Sequence, residues 1–357
     1  MPYHGKMNAT SDVIIAGGGV AGMSTAFFLA HAGLQTTILE RNTPGMESSW
    51  AGGGILAPLL PWHYSQAVLE MCHRGAQMYP AWAETLHASG GIDPEYWPCG
   101  MHVLPTDRMT PENPTSNATA YPLFNGIPDA NNHSLWMPNV AQVRNPRLVK
   151  SLRKTMDALN IRVLEHCGDT TLHVSKNHVS HIQSQHGKHV GAHYLVASGA
   201  WSQHMLADMP PAKTISPVRG QMLLFQAEPG LLPHILYQDG VYLIPRRDGH
   251  IVVGSTVESV GFDKSTTESA RQHLYARAVQ LLPELGNLAI IQQWSGLRPG
   301  APDNIPTVAR HPDIDNLFVN AGHFRYGVTM APSSAKLLTD LLLHRTPDID
   351  PLPYAWW

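Results

Sequence analysis

Asp12-Val13-Ile14-Ile15-Ala16-Gly17-Gly18-Gly19-Val20-Ala21-Gly22 opens a unit that closes at Thr36-Thr37-Ile38-Leu39-Glu40. The β-branched run before Gly17 reads as a buried parallel strand. Gly17 to Gly22 is a turn. Val20 to Ala32 reads as a helix with Phe27, Phe28 and Leu29 on its apolar face, and Gly33 ends it. Thr36 to Leu39 is a second strand, so the segment is a βαβ unit. The glycines satisfy G-x-G-x-x-G after a strand and at the head of a helix, and Glu40 stands 21 residues beyond Gly19, near the ~20 that a dinucleotide fold requires. In that reading Gly17 permits the tight turn, Gly19 lets the backbone approach a pyrophosphate, and Gly22 lets helix and strand pack closely. The helix N-terminus offers free N–H groups to the phosphates, and Glu40 accepts from ribose hydroxyls. The alternative is a tight βα turn with no ligand.

The same stretch has a second interpretation. Val13 to Leu39 holds 27 residues without Asp, Glu, Lys or Arg, long enough to cross a bilayer. The glycine cluster near its start breaks any single helix, and no Lys/Arg-rich start with a small-residue cleavage site precedes it. No integral membrane segment is expected. The chain of 357 residues suggests about two domains. It is 43% apolar and 14% charged, which excludes a disordered chain. A net charge of −3 gives no basic surplus for nucleic acid. With 21 histidines the sign of the charge can reverse in mild acid. Cys72, Cys99 and Cys167 lack CxxC spacing, which points to reduced thiols and a cytoplasmic protein. His178/His181 and His186/His189 are read as surface histidines, and no metal is expected.

Outward from the first unit, the chain is glycine-rich to Gly54 and helical from about Gln66 to Ala88. Prolines between residues 105 and 145 exclude a long helix and indicate short strands and loops. A helix is expected from Pro146 to Leu159, strands at Ile161–Leu164, Leu172–Val174, Val179–Ile182 and Tyr194–Ala197, and antiparallel strands at Val218–Gln226, Val241–Ile244 and His250–Gly254. A helix from about Ser265 to Leu282, a strand at Leu317–Asn320 and a closing helix at Ala331–His344 follow. The expected fold class is α/β. A Rossmann-type dinucleotide-binding domain (an FAD-binding domain if the likeness below holds) is assembled from 1–88, 146–210 and 300–357, and an antiparallel-sheet domain from 89–145 and 211–299, the expected substrate domain, is inserted into it. One fingerprint means one dinucleotide, FAD or NAD, and Glu40 argues against NADP.

Likeness separates the two. Glu40-Arg41 and Ser48-Ser49-Trp50-Ala51-Gly52-Gly53-Gly54-Ile55-Leu56-Ala57-Pro58 resemble the segment after the second strand in the glycine oxidases, the thiamine-biosynthesis branch of the D-amino-acid oxidase family. In order follow Gly199-Ala200-Trp201-Ser202, Pro217-Val218-Arg219-Gly220-Gln221, Tyr242-Leu243-Ile244-Pro245-Arg246, Gly296-Leu297-Arg298-Pro299 with Pro302-Asp303, and Gly322-His323-Phe324-Arg325-Tyr326-Gly327. The resemblance implies non-covalent FAD with its pyrophosphate at Val20 and Ala21. Glu40, Arg41 and Asp169 would meet the adenosine end, Ser48 and Ser49 the pyrophosphate side, and Gly53, Gly54 and Ile55 the flavin ring, with Gly199 also at the cofactor. Glycine suits a close approach to a flat ring, although the same glycines could be a flexible hinge. His323, Phe324, Arg325, Tyr326, Gly327, Val328 and Thr329 would pass the pyrimidine edge and lead into the closing helix. Alanine is usual at Gly52 and Gly53, which predicts a looser loop here. Valine is usual at Asp169, asparagine at Tyr326 and an apolar residue at Thr329.

The family's substrate, a small amino acid or amine, is oxidised as its Cα hydrogen leaves as hydride toward the flavin, which needs positioning above all. Arg298 is the expected carboxylate clamp, since a guanidinium binds a carboxylate bidentately. Tyr242 would donate to the same carboxylate, and Arg325 would add a second positive charge. The simpler roles are an Arg298–Asp303 surface pair, a Tyr242 hydroxyl in solvent, and an Arg325 serving only the fold or the FAD. The expected enzyme is an FAD-dependent amino-acid oxidase. It would turn glycine, sarcosine or a small D-amino acid into an imine, with molecular oxygen giving hydrogen peroxide, in the thiazole branch of thiamine synthesis. A homo-oligomer is expected. Two alternatives stand. One is a D-amino-acid dehydrogenase feeding a quinone, with the apolar tail Pro353-Tyr354-Ala355-Trp356-Trp357 touching a membrane or packing on a subunit. The other is a non-catalytic nucleotide-binding module.

Overall fold

The computed structural model describes residues 11–105, 121–128, 134–209 and 213–356. In chain order its strands are β1 (Ser11–Ala16), β2 (Thr36–Leu39), β3 (Met101–Val103), β4 (Ile127–Pro128), β5 (Leu135–Met137), β6 (Arg162–Leu164), β7 (Thr171–Ser175), β8 (His178–Ser184) and β9 (Gly187–His189). They continue with β10 (Gly191–Val196), β11 (Ser216–Gln226), β12 (Ile235–Gln238), β13 (Val241–Pro245), β14 (His250–Gly254), β15 (Ile290–Gly300), β16 (Thr307–Arg310) and β17 (Leu317–Ala321). The helices are α1 (Val20–His31), α2 (Ser48–Ala51), α3 (Gln66–Gly90), α4 (Asn145–Ala158), α5 (Ser202–Met205), α6 (Glu268–Leu281) and α7 (Gly327–Leu342).

The apolar run Val13–Ala16 forms the middle of a six-stranded sheet ordered β16-β17-β10-β1-β2-β6, in which every pairing is parallel except β16 with β17. Val13 and Ile15 pack toward one core with α1, and Ile14 and Ala16 toward another that includes Val179 and Ile182. Burial on both faces is why the strand shows no polar alternation. β7, β8 and β9 make a separate antiparallel sheet. There His189 is buried, with Nε2 2.8 Å from Ser184 Oγ, rather than lying on the surface as expected.

The second large sheet is ordered β15-β11-β14-β13-β12-β3-β5-β4 and is antiparallel except between β12 and β3. Two-residue periodicity sorts its faces. Leu223, Phe225, Leu243 and Val253 pack toward α6, while Met222, Tyr242, Ile244 and Val252 join the main core. β12, β15 and β16 have no counterpart in the sequence reading. α6 starts at Glu268 because Thr267 is its N-cap, with Oγ1 accepting from Ala270 N. α7 begins four residues before the expected start and carries Pro332 inside it. Proline there frees the Val328 carbonyl, which accepts instead from Tyr79 Oη at 2.6 Å.

Two residues of the tail, Tyr354 and Trp356, pack on their own chain. Tyr354 is fully buried with Oη 2.8 Å from Ala67 O, and Trp356 lies 4.5 Å from the His311 ring. Among the described residues no helix is long and apolar enough to cross a membrane, and no group of three His, Cys, Asp or Glu is arranged for a metal.

Candidate active site

A cavity of about 380 Å³ runs from the carboxyl ends of β1, β2, β10 and β17 to the inner face of β13 and β15. It opens where the chain leaves β1 between two strands reached by crossovers on opposite sides, the usual ligand position in such sheets. At one end Gly17 has φ +115°, and a Cβ there would lie 2.3 Å from Ala197 O. A Cβ on Gly22 would lie 1.9 Å from Gly17 O, whereas one on Gly19 would meet only Ser49 Oγ at 3.2 Å. Gly17 and Gly22 are therefore required by packing, and Gly19 keeps backbone open to the cavity.

Gly17, Gly19, Val20, Ala21, Glu40, Arg41, Ser48, Ser49, Gly53, Gly54, Ile55, Asp169 and Gly199 line this space, as do His323, Phe324, Arg325, Tyr326, Gly327 and Val328. Val20 N donates to Ser49 Oγ at 2.9 Å, which ties the helix start to α2. Glu40 Oε2 accepts from Gly18 N at 2.8 Å and Oε1 from Asn42 N at 2.9 Å. Burial raises its pKa, and those two N–H groups oppose the rise. The Arg41 guanidinium lies 3.9 Å from the centre of the Trp201 ring.

Two expected residues lie off the cavity wall. Gly22 serves packing. Thr329 is buried and turns away, with Oγ1 donating to Ile55 O at 3.0 Å. The loop at Gly52–Gly54 has no room for side chains. A Cβ on Gly54 would sit 2.0 Å from Val143 O, one on Gly53 2.5 Å from Ile244 Cδ1, and one on Gly52 2.8 Å from Asn145 Nδ2. Arg246 holds the loop from behind, donating from Nη2 to Gly53 O at 2.8 Å and from Nη1 to Val143 O at 3.0 Å. Burial lowers its pKa to about 10, so it stays a cation at neutral pH.

The other end of the cavity holds Arg298, Tyr242 and Ser255. Arg298 is half-buried and does not pair with Asp303. Its Nη1 donates to Thr256 O at 3.1 Å and its Nη2 to Ser255 Oγ at 2.6 Å. Burial lowers the guanidinium's pKa, Tyr242 opposes this and Arg325 adds to it. Tyr242 is buried in the cavity wall rather than solvated. Arg325 stands 5.3 Å from the Phe324 ring centre. Tyr326 is buried, edge-on to Tyr64 with ring centres 5.2 Å apart, and burial raises its phenol pKa. His323 is buried with Nε2 3.1 Å from Ser334 Oγ, and burial pushes its pKa down to about 4, so it is neutral.

The sequence reading missed Ser255, Thr256 and Asn145. Asn145 Nδ2 donates to Ser49 O at 2.8 Å. No motif signals these contacts, because each joins segments far apart in the chain.

A family model described as FAD dependent oxidoreductase (DAO) matches residues 12–341. Glycine oxidase from Pseudomonas putida is 41% identical, covering 97% of this chain and 98% of that protein. The bifunctional protein ThiO/ThiG of Synechocystis sp. is 32% identical over 98% of this chain, which spans 54% of that longer protein. The crystal structure of glycine oxidase from Geobacillus kaustophilus has a TM-score of 0.87 and 24% identity, covering 98% of both chains.

Proposed function

The chain belongs to the family of FAD dependent oxidoreductases, and from that premise we propose that it oxidises a small amino acid, glycine foremost, at the carbon bearing the amine. The observation that carries this reading is Arg298. Its guanidinium has no carboxylate partner among the described residues and opens on the cavity that also contains the Gly17–Ala21 turn. A half-buried cation so placed suits an anionic ligand.

The residues present fit FAD. A side chain at Gly17 or Gly22 would strike backbone, and the cavity continues from that turn to the Gly53–Ile55 loop. Gly17, Gly19, Val20, Ala21, Ser48 and Ser49 would hold the pyrophosphate, with Gly199 nearby. Glu40, Arg41 and Asp169 would hold the adenosine end. Gly53, Gly54 and Ile55 would lie along the flavin, with His323 to Val328 at its other edge. Bound FAD supplies a two-electron acceptor for hydride and returns the electrons to molecular oxygen, giving hydrogen peroxide.

The chain's own task is to bind and orient. Arg298 grips the substrate carboxylate, Tyr242 donates its hydroxyl to it, and Arg325 adds positive potential. Burial lowers the His323 pKa to about 4, which makes it a poor base for an ammonium, and the reading has the amine enter neutral. The imine hydrolyses to a 2-oxo acid and ammonia. For glycine it would serve the thiazole branch of thiamine synthesis, a placing supported by the likeness to ThiO/ThiG. We assign 1–88, 146–210 and 300–357 to the cofactor lobe and 89–145 and 211–299 to the substrate lobe.

The test is anaerobic mixing of the holoenzyme with glycine, sarcosine, D-alanine and D-proline. Bleaching of the flavin by at least one is expected, and a colour unchanged by all four would overturn the reading. Oxygen uptake with and without an artificial acceptor then separates oxidase from dehydrogenase.

A further inference from the structure

The backbone of β11 passes flat beneath the guanidinium of Arg298. A Cβ on Gly220 would lie 2.2 Å from Nη1, 2.4 Å from Cζ and 2.4 Å from Nη2. Only glycine lets the planar group rest there. Along the guanidinium edge, Ser255 Oγ and Thr256 O take one N–H from each terminal nitrogen. That short segment is itself held. Gln221 N donates to Thr256 Oγ1 at 2.9 Å, Arg219 Nη2 to Glu258 Oε2 at 2.6 Å, and Gln221 Nε2 to Glu258 Oε1 at 2.9 Å. Thr256 Oγ1 also donates to Glu258. The network continues through buried Arg219, whose Nη1 donates to Asp263 Oδ2 at 2.6 Å and Ser265 O at 3.0 Å.

We propose that Gly220 and Ser255 are positioning residues that fix the Arg298 fork in one orientation toward the cavity, Gly220 as the bed under its plane and Ser255 as the hydroxyl at its edge. This rests on the reading that Arg298 binds a carboxylate. An arginine side chain has many rotamers, and a fork already locked surrenders less freedom when its ligand arrives. The carbonyl of Thr256 fixes one nitrogen only, and a single point leaves rotation. Ser255 supplies the second point, so its loss falls on affinity for the acid group.

The test uses oxidised holoenzyme and acetate, a carboxylate without an amine, whose binding is read from the flavin spectrum. Glycine turnover is measured beside it. Ser255→Ala is expected to keep its FAD and to raise the acetate Kd about tenfold, the loss of one charge-assisted hydrogen bond. KM for glycine rises by a similar factor, and kcat changes several-fold less. Ser255→Thr, which keeps the hydroxyl, returns the acetate Kd most of the way to that of the unmodified enzyme. Gly220→Ala weakens acetate more than Ser255→Ala does, because its methyl must displace the fork. If Gly220→Ala does not fold, the Ser255 pair decides alone. An acetate Kd for Ser255→Ala within about twofold of the unmodified enzyme, below one weak hydrogen bond, overturns the proposal. So does failure of Ser255→Thr to restore binding lost in Ser255→Ala. An unmodified enzyme that binds no acetate and is bleached by no amino acid overturns the substrate reading, and this inference with it. An unmodified enzyme that does both, beside an indifferent Ser255→Ala, overturns this inference alone.

Discussion

Replacing Arg298 by alanine sets two effects against each other. The first is the loss of the carboxylate clamp. Truncating one partner of a desolvated charge pair costs about 3 kcal/mol or more, which is about 150-fold in affinity. The second is the effect on the fold itself. The free enzyme keeps a guanidinium whose pKa burial already lowers and to which Arg325 adds repulsion. Its removal relieves that cost but gives up the bonds to Thr256 O and Ser255 Oγ, each worth about 1 kcal/mol net. These terms oppose one another, so stability moves by no more than about 1–2 kcal/mol. The binding effect wins. Arg298→Ala should retain FAD and melt within a few degrees of the unmodified holoenzyme, while the acetate Kd and the KM for glycine rise about a hundredfold or more. Arg298→Lys keeps the charge without the fork and should fall between. The assay is titration of the flavin spectrum with acetate, alongside FAD content and a melting curve. An acetate affinity unchanged in Arg298→Ala, with FAD still bound, would remove Arg298 from the carboxylate.

Tyr242→Phe should keep FAD and raise KM for glycine by roughly three- to tenfold, the loss of a single hydroxyl bond; no change would place the hydroxyl away from the substrate. Gly22→Ala places a methyl 1.9 Å from Gly17 O, so the protein should purify without yellow colour, and a full complement of FAD would refute the packing argument. Flavin reduction by glycine should accelerate as pH rises and the substrate ammonium loses its proton; a flat profile in anaerobic stopped flow would contradict entry as the neutral amine. His323 has a folded pKa of about 4 against an ordinary 6.5. Its contribution to stability is therefore complete above 6.5 and lost as pH falls toward 4, up to about 3 kcal/mol. His323→Gln should flatten the fall of the urea midpoint over that window, and an identical slope in both proteins would exclude His323 as its source.

What the sequence made legible follows from how local each signal is. β1, the glycine turn, α1 and β2 were readable because turn, cap and period lie within a single short stretch. β15 was not. Ile290–Gly300 contains Gly296 and Pro299, which read as breakers, yet Gly296 is needed where a Cβ would lie 2.5 Å from Ala51 Cβ. Pro299 pairs opposite Pro217 at the end of the ladder with β11. α7 begins at Gly327, ahead of the expected Ala331, and only the fold shows Tyr79 satisfying the carbonyl that Pro332 frees. Arg298 and Tyr242 were named from likeness, but their neighbours Ser255 and Gly220 come from β14's end and β11. Those contacts exist only after the strands pair.

The two halves of the site are joined by one loop. Residues 49 to 55 are held from the cofactor side by Asn145 Nδ2 on Ser49 O and Thr329 Oγ1 on Ile55 O. From the side of the second sheet they are held by Trp294 Nε1 on Ala51 O at 3.0 Å and Arg246 Nη2 on Gly53 O. Trp294 and Arg298 share β15, and Tyr242 lies near the start of β13 while Arg246 directly follows its end. The residues that anchor the loop are therefore linked through the strands to Arg298 and Tyr242 on the cavity wall. Arg246 is a buried cation that takes carbonyl oxygens rather than a carboxylate. An ionic partner would neutralise its charge, whereas carbonyls leave it positive behind the loop. Hydride transfer depends on distance and alignment more than on acid–base help. The loop is anchored by α4 and α7 on one side and by the second sheet on the other, so its place beside the cavity is set by the fold itself, and the proposed hydride transfer would draw on that fixed position.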